Sequence, residues 1–121
     1  MDAKEMSTDR KRGTTTIAPG VLLTIARLTA LGVPGVVGVA PVPGGVNRLF
    51  RRGVGDGVQI EVSGEAVAID LYLILASGTN VRDVSHTVQG EVARAVEHMV
   101  GMQVQRVDVH IEDIDTAVQP A

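Results

Sequence analysis

The chain has 121 residues, enough for one domain with short tails, and 45% of them are hydrophobic, which excludes a disordered chain and lets a core form without a metal or disulfide. A formal net charge of -3 is too small to make nucleic acid or an anionic membrane the main partner. No cysteine means no disulfide, no thiol catalysis and no Cys-zinc site, and one Phe, one Tyr and no Trp mean an aliphatic core.

Residues 1–12 mix Lys4, Glu5, Asp9, Arg10, Lys11 and Arg12 without apolar period, so they read as a disordered charged tail rather than a leader. The basic trio Arg10, Lys11 and Arg12 is read the same way, ahead of a phosphate site. Thr14 to Ile17 suit a short first strand. Pro19 can open a helix, because the N–H it lacks is one the first turn leaves unpaired. Val21, Leu22, Ile25, Leu28 and Thr29 recur at helical spacing and predict its buried face. Gly32 is expected in the left-handed position after the helix, with Pro34 blocking continuation. Val36, Val37 and Val39 predict a second short strand.

Residues 40–57 hold two prolines, several glycines and the segment Asn47, Arg48, Leu49, Phe50, Arg51 and Arg52. This is a long loop around a short apolar-basic element, and long loops in compact domains often carry function. Val58, Ile60 and Val62 alternate with Gln59, Glu61 and Ser63, the period of a half-buried strand. Gly64 and Glu65 fit a two-residue type II′ turn. The next strand, residues 66–76, is apolar on both parities: Val67, Ile69, Leu71, Leu73 and Leu75 on one, Asp70, Tyr72 and Ile74 on the other. Such a strand belongs in the middle of a sheet. Asn80 is the expected N-cap of a second helix, with Asp83 near its positive end. Val81, Val84, Ser85, Val88, Val92, Ala95, Val96 and Met99 trace that helix's apolar face, and Gly90 inside it is expected to let the backbone approach the sheet. Gly101 stops it. Val107, Val109 and Ile111 alternate with Arg106, Asp108, His110 and Glu112 in a last strand, and the chain ends in a frayed tail.

The order is therefore β-α-β-β-β-α-β. It predicts an α/β (α+β) two-layer sandwich, a mixed sheet of four or five strands with two helices on one face. The domain is expected over residues 13–114, with tails at 1–12 and 115–121. No stretch reaches the ~20 apolar residues that span a bilayer, so the expectation is a cytoplasmic protein that meets a membrane only through a partner.

Chemistry-bearing residues are sparse. Asp108, His110 and Glu112 share a strand parity, but alternate side chains of a strand stand nearly 7 Å apart, too far for three to converge on one ion. His86 and His98 lie more than three helical turns apart. The glycines Gly53, Gly55 and Gly57 precede a strand rather than a helix, so no dinucleotide fingerprint is present. No Ser-His-Asp set and no H-E-x-x-H is found. No catalytic residue, no metal and no cofactor is expected. The candidate partner-binding residues are Arg48, Phe50, Arg51 and Arg52 in the loop, and Tyr72 and Ile74 on the strand parity opposite the leucines. An Arg-aromatic cluster and an exposed Tyr are what interface hot spots favour. Self-association through the open sheet face or a strand edge is expected on this reading.

Several of these residues also resemble a known family. Gly13, Ile17, Val21, Ile25 and Ala26, followed by Val33, Pro34, Gly35 and Val36, look like its first half. Ile69, Asp70 and Leu71 with Gly78, then Val88, Gln89, Val92, Val96, Glu97, His98, Met99 and Gly101, look like its second. Val104, Val107, Val109 and Ile111 close the match. The family is the alkaline shock protein family of envelope stress response proteins of Gram-positive bacteria. The resemblance implies a cytoplasmic protein without a membrane span, in some members held near the membrane by an anchor protein and able to assemble in many copies. It implies no catalytic residue. The basic N-terminal tail and the Arg-rich loop depart from the family pattern.

The leading expectation is a non-catalytic envelope or cell-wall stress response module that self-assembles as a homo-oligomer or docks on a membrane-anchor protein. The alternative is an RNA-binding or other adaptor acting through the Arg-rich loop, against which stands the lack of a second sheet aromatic beside Tyr72. A small-molecule enzyme or sensor is disfavoured by the residue inventory.

Overall fold

The computed structural model describes residues 17–43, 54–55 and 57–117. The elements run α1 (Pro19–Leu31), β1 (Val36–Val39), β2 (Val54–Gly55), β3 (Val58–Ser63), β4 (Ala66–Ala76), α2 (Val81–Val100) and β5 (Gln103–Asp115). The first strand expected at residues 14–17 has its threonines outside the described residues, and Ile17 belongs to no strand.

The sheet is organised around β4. Along one edge β5 runs parallel to it for the full length, from Ala66 opposite Gln103 to Ala76 opposite Asp115. The other edge is shared end to end by two antiparallel strands. β3 takes the first half, from Ser63 opposite Ala66 to Val58 opposite Leu71, and β1 takes the second, with Val39 opposite Leu73 and Val36 opposite Leu75. Tyr72 sits at the junction: its N–H donates to the Gly57 carbonyl and its carbonyl accepts from the Ala40 N–H, both at 2.8 Å. β2 adds to the outside of β3. β3 and β4 are antiparallel across the tight turn at Gly64 and Glu65, whereas parallel β4 and β5 need the crossover that α2 provides.

Both helices lie on one face. Val67, Ile69, Leu71, Leu73 and Leu75 are fully buried and form one cluster with Leu22, Ala26 and Ala30 of α1 and Val84, Val88, Val92 and Val96 of α2. Each buried Val or Leu contributes roughly 1.5–3 kcal/mol relative to exposure. The helices also touch each other. Asn80 caps α2, its Oδ1 accepting from the Asp83 N–H at 3.0 Å. Gly101 ends it at φ 80°, in the left-handed conformation, and the Glu97 carbonyl accepts its N–H.

Five local expectations are corrected. Of the face expected for α1, Leu22 is buried and Ile25 packs against the core, but Val21 and Leu28 are 46% and 58% exposed, and Ala26 and Ala30 complete the buried stripe instead. The two alanines let α1 lie close on its neighbours. Met99 is 71% exposed, and Val100 packs at the end of α2 instead. Gly32 is right-handed at φ -81°; the left-handed turn residue is Gly35 at φ 100°. A Cβ on Gly35 would lie 2.8 Å from Thr79 Cγ2, so the turn needs glycine for both conformation and space. Gly90 is exposed, and a Cβ there would meet nothing within 4 Å. It approaches nothing. The last strand is also longer than the alternation suggested, because β4 pairs along all of it.

Gly90 and Gly35 should therefore respond to alanine with opposite signs. Gly90→Ala should stabilise the chain by about 1 kcal/mol and raise the thermal midpoint by about 4 °C, because it lowers only the cost of ordering an exposed helix. Gly35→Ala should lower the midpoint. Calorimetry on both variants checks this, and a lower midpoint for Gly90→Ala would show that α2 uses the glycine.

Candidate functional site

The face of the sheet away from the helices collects the polar parity of β4 and β5. Asp70 stands opposite Asp108, and Tyr72 opposite His110. Arg106 Nη1 donates to Asp70 Oδ1 at 3.2 Å and also pairs with Asp108. His110 Nε2 lies 3.1 Å from the same Asp70 oxygen. The His110 ring stacks on Tyr72, centroids 4.6 Å apart and planes 12° from parallel. Asp70 is the hub, the least exposed of the charged members. Its hydrogen bond is the first cause holding the Arg106 guanidinium above its ordinary pKa, with Coulombic attraction to Asp70 and Asp108 and a hydrogen bond to Asp108 adding, against an opposing desolvation. Chemically this is an ion-paired surface whose charges answer one another. It holds an imidazole, a guanidinium and two carboxylates.

Tyr72 and Ile74 fall on this face, half-buried rather than exposed as the parity suggested. Arg48, Phe50, Arg51 and Arg52 lie outside the described residues. Asp108, His110 and Glu112 do not converge: β5 bulges so that Ile111 pairs with Leu73 and Asp113 with Ile74, skipping Glu112. Among the described residues no three His, Cys, Asp or Glu side chains are grouped to hold a metal ion.

A second surface escaped the sequence reading. Opposite its core stripe, α1 shows Val21, Leu28 and Leu31 to solvent, with Arg27 the single charged residue in the helix. The neighbouring α2 is conventionally amphipathic, with Arg82, Asp83, Glu97 and His98 exposed. The scarcity of charge in residues 19–31 was the signal that could have revealed it. A shallow hollow of about 390 Å³ opens where α1 begins and α2 ends, lined by Ile17, Leu22, Val62, Val100 and Met102.

A family model described as the alkaline shock protein 23 family, with cell envelope-related function, matches residues 7–116. The chain belongs to this family. The Bacillus subtilis uncharacterized protein YloU is 30% identical over 108 residues, covering 86% of this chain and 90% of that protein. YqhY of the same organism is 28% identical over 115 residues, covering 92% and 85%. Among solved structures, a variant of the MamM CTD superposes with a TM-score of 0.50 at 16% identity, covering 78% of this chain and 94% of that one. That likeness is one of fold, the same α+β arrangement. Among the described residues of this family member, no helix is long and apolar enough to cross a membrane.

The hub role of Asp70 is testable by urea denaturation. Asp70→Ala removes both the Arg106 and His110 contacts from a largely covered carboxylate and should cost about 1–2 kcal/mol. Asp108→Ala, at a half-exposed side chain, should stay within about 0.5 kcal/mol. Equal losses would place the hub elsewhere.

Proposed function

We propose that this family member is a non-catalytic contact module of the cell envelope stress response, working on the cytoplasmic side by assembling with its own copies and docking on a membrane-anchored partner protein. The observation that carries the reading is the outer face of α1. A helix apolar on both sides is ordinarily covered on both. Here the core covers one side, while Val21, Leu28 and Leu31 stand exposed on the other. An uncharged apolar stripe of this kind marks a protein contact. The family's envelope-related function and the lack of a membrane-crossing helix among the described residues make an anchored protein the fitting partner. Tyr72, Ile74, Arg48, Phe50, Arg51 and Arg52 remain proposed as further contact residues. For the RNA-adaptor alternative, the face around Tyr72 is unfavourable, since Glu61 is negative and Arg106 is already held by Asp70 and Asp108.

The test is a pull-down from the native host with membrane and soluble fractions kept apart, using wild type and Val21→Glu/Leu28→Glu. Both substitutions fall on exposed positions, so the fold and thermal midpoint should hold within a few degrees. Wild type should recover an integral membrane protein that the double variant loses. Recovery of the same membrane protein by the variant, or of soluble proteins alone by wild type, overturns the reading.

A further inference from the structure

Resting on the reading that the chain assembles with its own copies, we propose where two copies meet: β5 pairs antiparallel with β5 of a second copy about a two-fold axis at Val109. Three observations on that strand converge.

The first is the edge. β5 runs for 13 residues and pairs with β4 on one side; among the described residues no strand pairs with the other. Long free edges invite a further strand, and proteins usually blunt them with proline, lysine, bulges or brevity. β5 has no proline and no lysine. Its bulges, which skip Gln105 and Glu112, instead bound a regular stretch at residues 106–111. The Val107 carbonyl accepts from Gln89 Nε2 at 3.1 Å, and a carbonyl keeps a second lone pair for a strand partner.

The second is the apolar row. Val107, Val109 and Ile111 pack against the core yet stay partly exposed at its rim. A second copy would lay its own Val107, Val109 and Ile111 beside them and extend the covered layer.

The third observation fixes the register. Directly opposed residues of antiparallel strands share a face, and opposite charges there attract. About Val109, within the regular stretch, Asp108 faces the His110 ring of the second copy, a hydrogen-bond partner for its carboxylate, and Val107 faces Ile111; the two-fold repeats both pairs. No neighbouring register does this. A two-fold at Asp108 sets Asp108 against itself and Arg106 against His110. One at His110 sets Asp108 against Glu112. One at Val107 matches a single charge pair and puts Val109 opposite Gln105.

Because the natural chain has no cysteine, single cysteines report the register cleanly. Opposed Cα atoms in such a pair lie about 4.5–5.5 Å apart, within disulfide reach. Under mild oxidation, the full chain carrying Val109→Cys should form a covalent dimer with itself. Val107→Cys should not, but should cross-link when mixed with Ile111→Cys. Light scattering should show the wild-type dimer. Wild type that is dimeric while neither cysteine arrangement cross-links overturns the β5 contact and leaves assembly through another surface, the segment before Ile17 and the α1 stripe among them. Val107→Cys cross-linking alone as readily as Val109→Cys overturns the register. Wild type that stays monomeric at high micromolar concentration overturns the proposed pairing altogether, while docking through α1 stands or falls on its own pull-down.

Discussion

The architecture depends on β4 being a strand that can be buried on both edges and one whole face. Its backbone hydrogen-bonds to three strands, and its Val67, Ile69, Leu71, Leu73 and Leu75 row carries both helices. Buried peptide groups must be paired, so an 11-residue central strand demands partners along its whole length. No single antiparallel neighbour is long enough. β3 and β1 divide the task at Tyr72, whose N–H and carbonyl join the two halves. The long β5 then follows from the parallel side, where the α2 crossover returns the chain to the start of β4.

That arrangement leaves the two helices in unequal positions. α2 bridges β4 and β5, buries a valine stripe and turns charged residues outward, the ordinary bargain for a surface helix. α1 packs through Leu22, Ala26 and Ala30, with Leu23 and Ile25 at the rim, and its outward side still shows Val21, Leu28 and Leu31. The difference does not come from the core, which needs only one stripe of each helix. It belongs to the surface, and so does the contrast between the ion-paired open face of the sheet and the rim of half-covered valines along β5. One face is already satisfied within the chain: Arg106 answers Asp70 and Asp108, and Tyr72 stacks on His110. Among the described residues, nothing covers the α1 stripe and no strand pairs with the outer edge of β5. The helix and the strand edge, rather than the sheet face that holds Tyr72 and Ile74, are therefore the surfaces open to a partner.

The sequence by itself determined the layer architecture, because its signals are local and periodic. Alternation in residues 58–62, doubled apolar parity in residues 66–76 and the valine row of α2 each admit one kind of element, and Asn80 and Gly101 mark the helix ends chemically. The family resemblance was legible in the same residues, since they are structural ones. What only the tertiary structure decided was orientation and proximity. A helix as evenly apolar as α1 has no strong period, so whether Leu22 or Leu28 faces inward is set by which side fits the sheet. Gly32 and Gly35 both suit a turn, and the choice falls to Gly35 because Thr79 stands against it. Asp70 and Arg106 lie 36 residues apart, and no local pattern announces their pairing. It exists because β4 and β5 run parallel in a particular register, and register is a property of the assembled sheet.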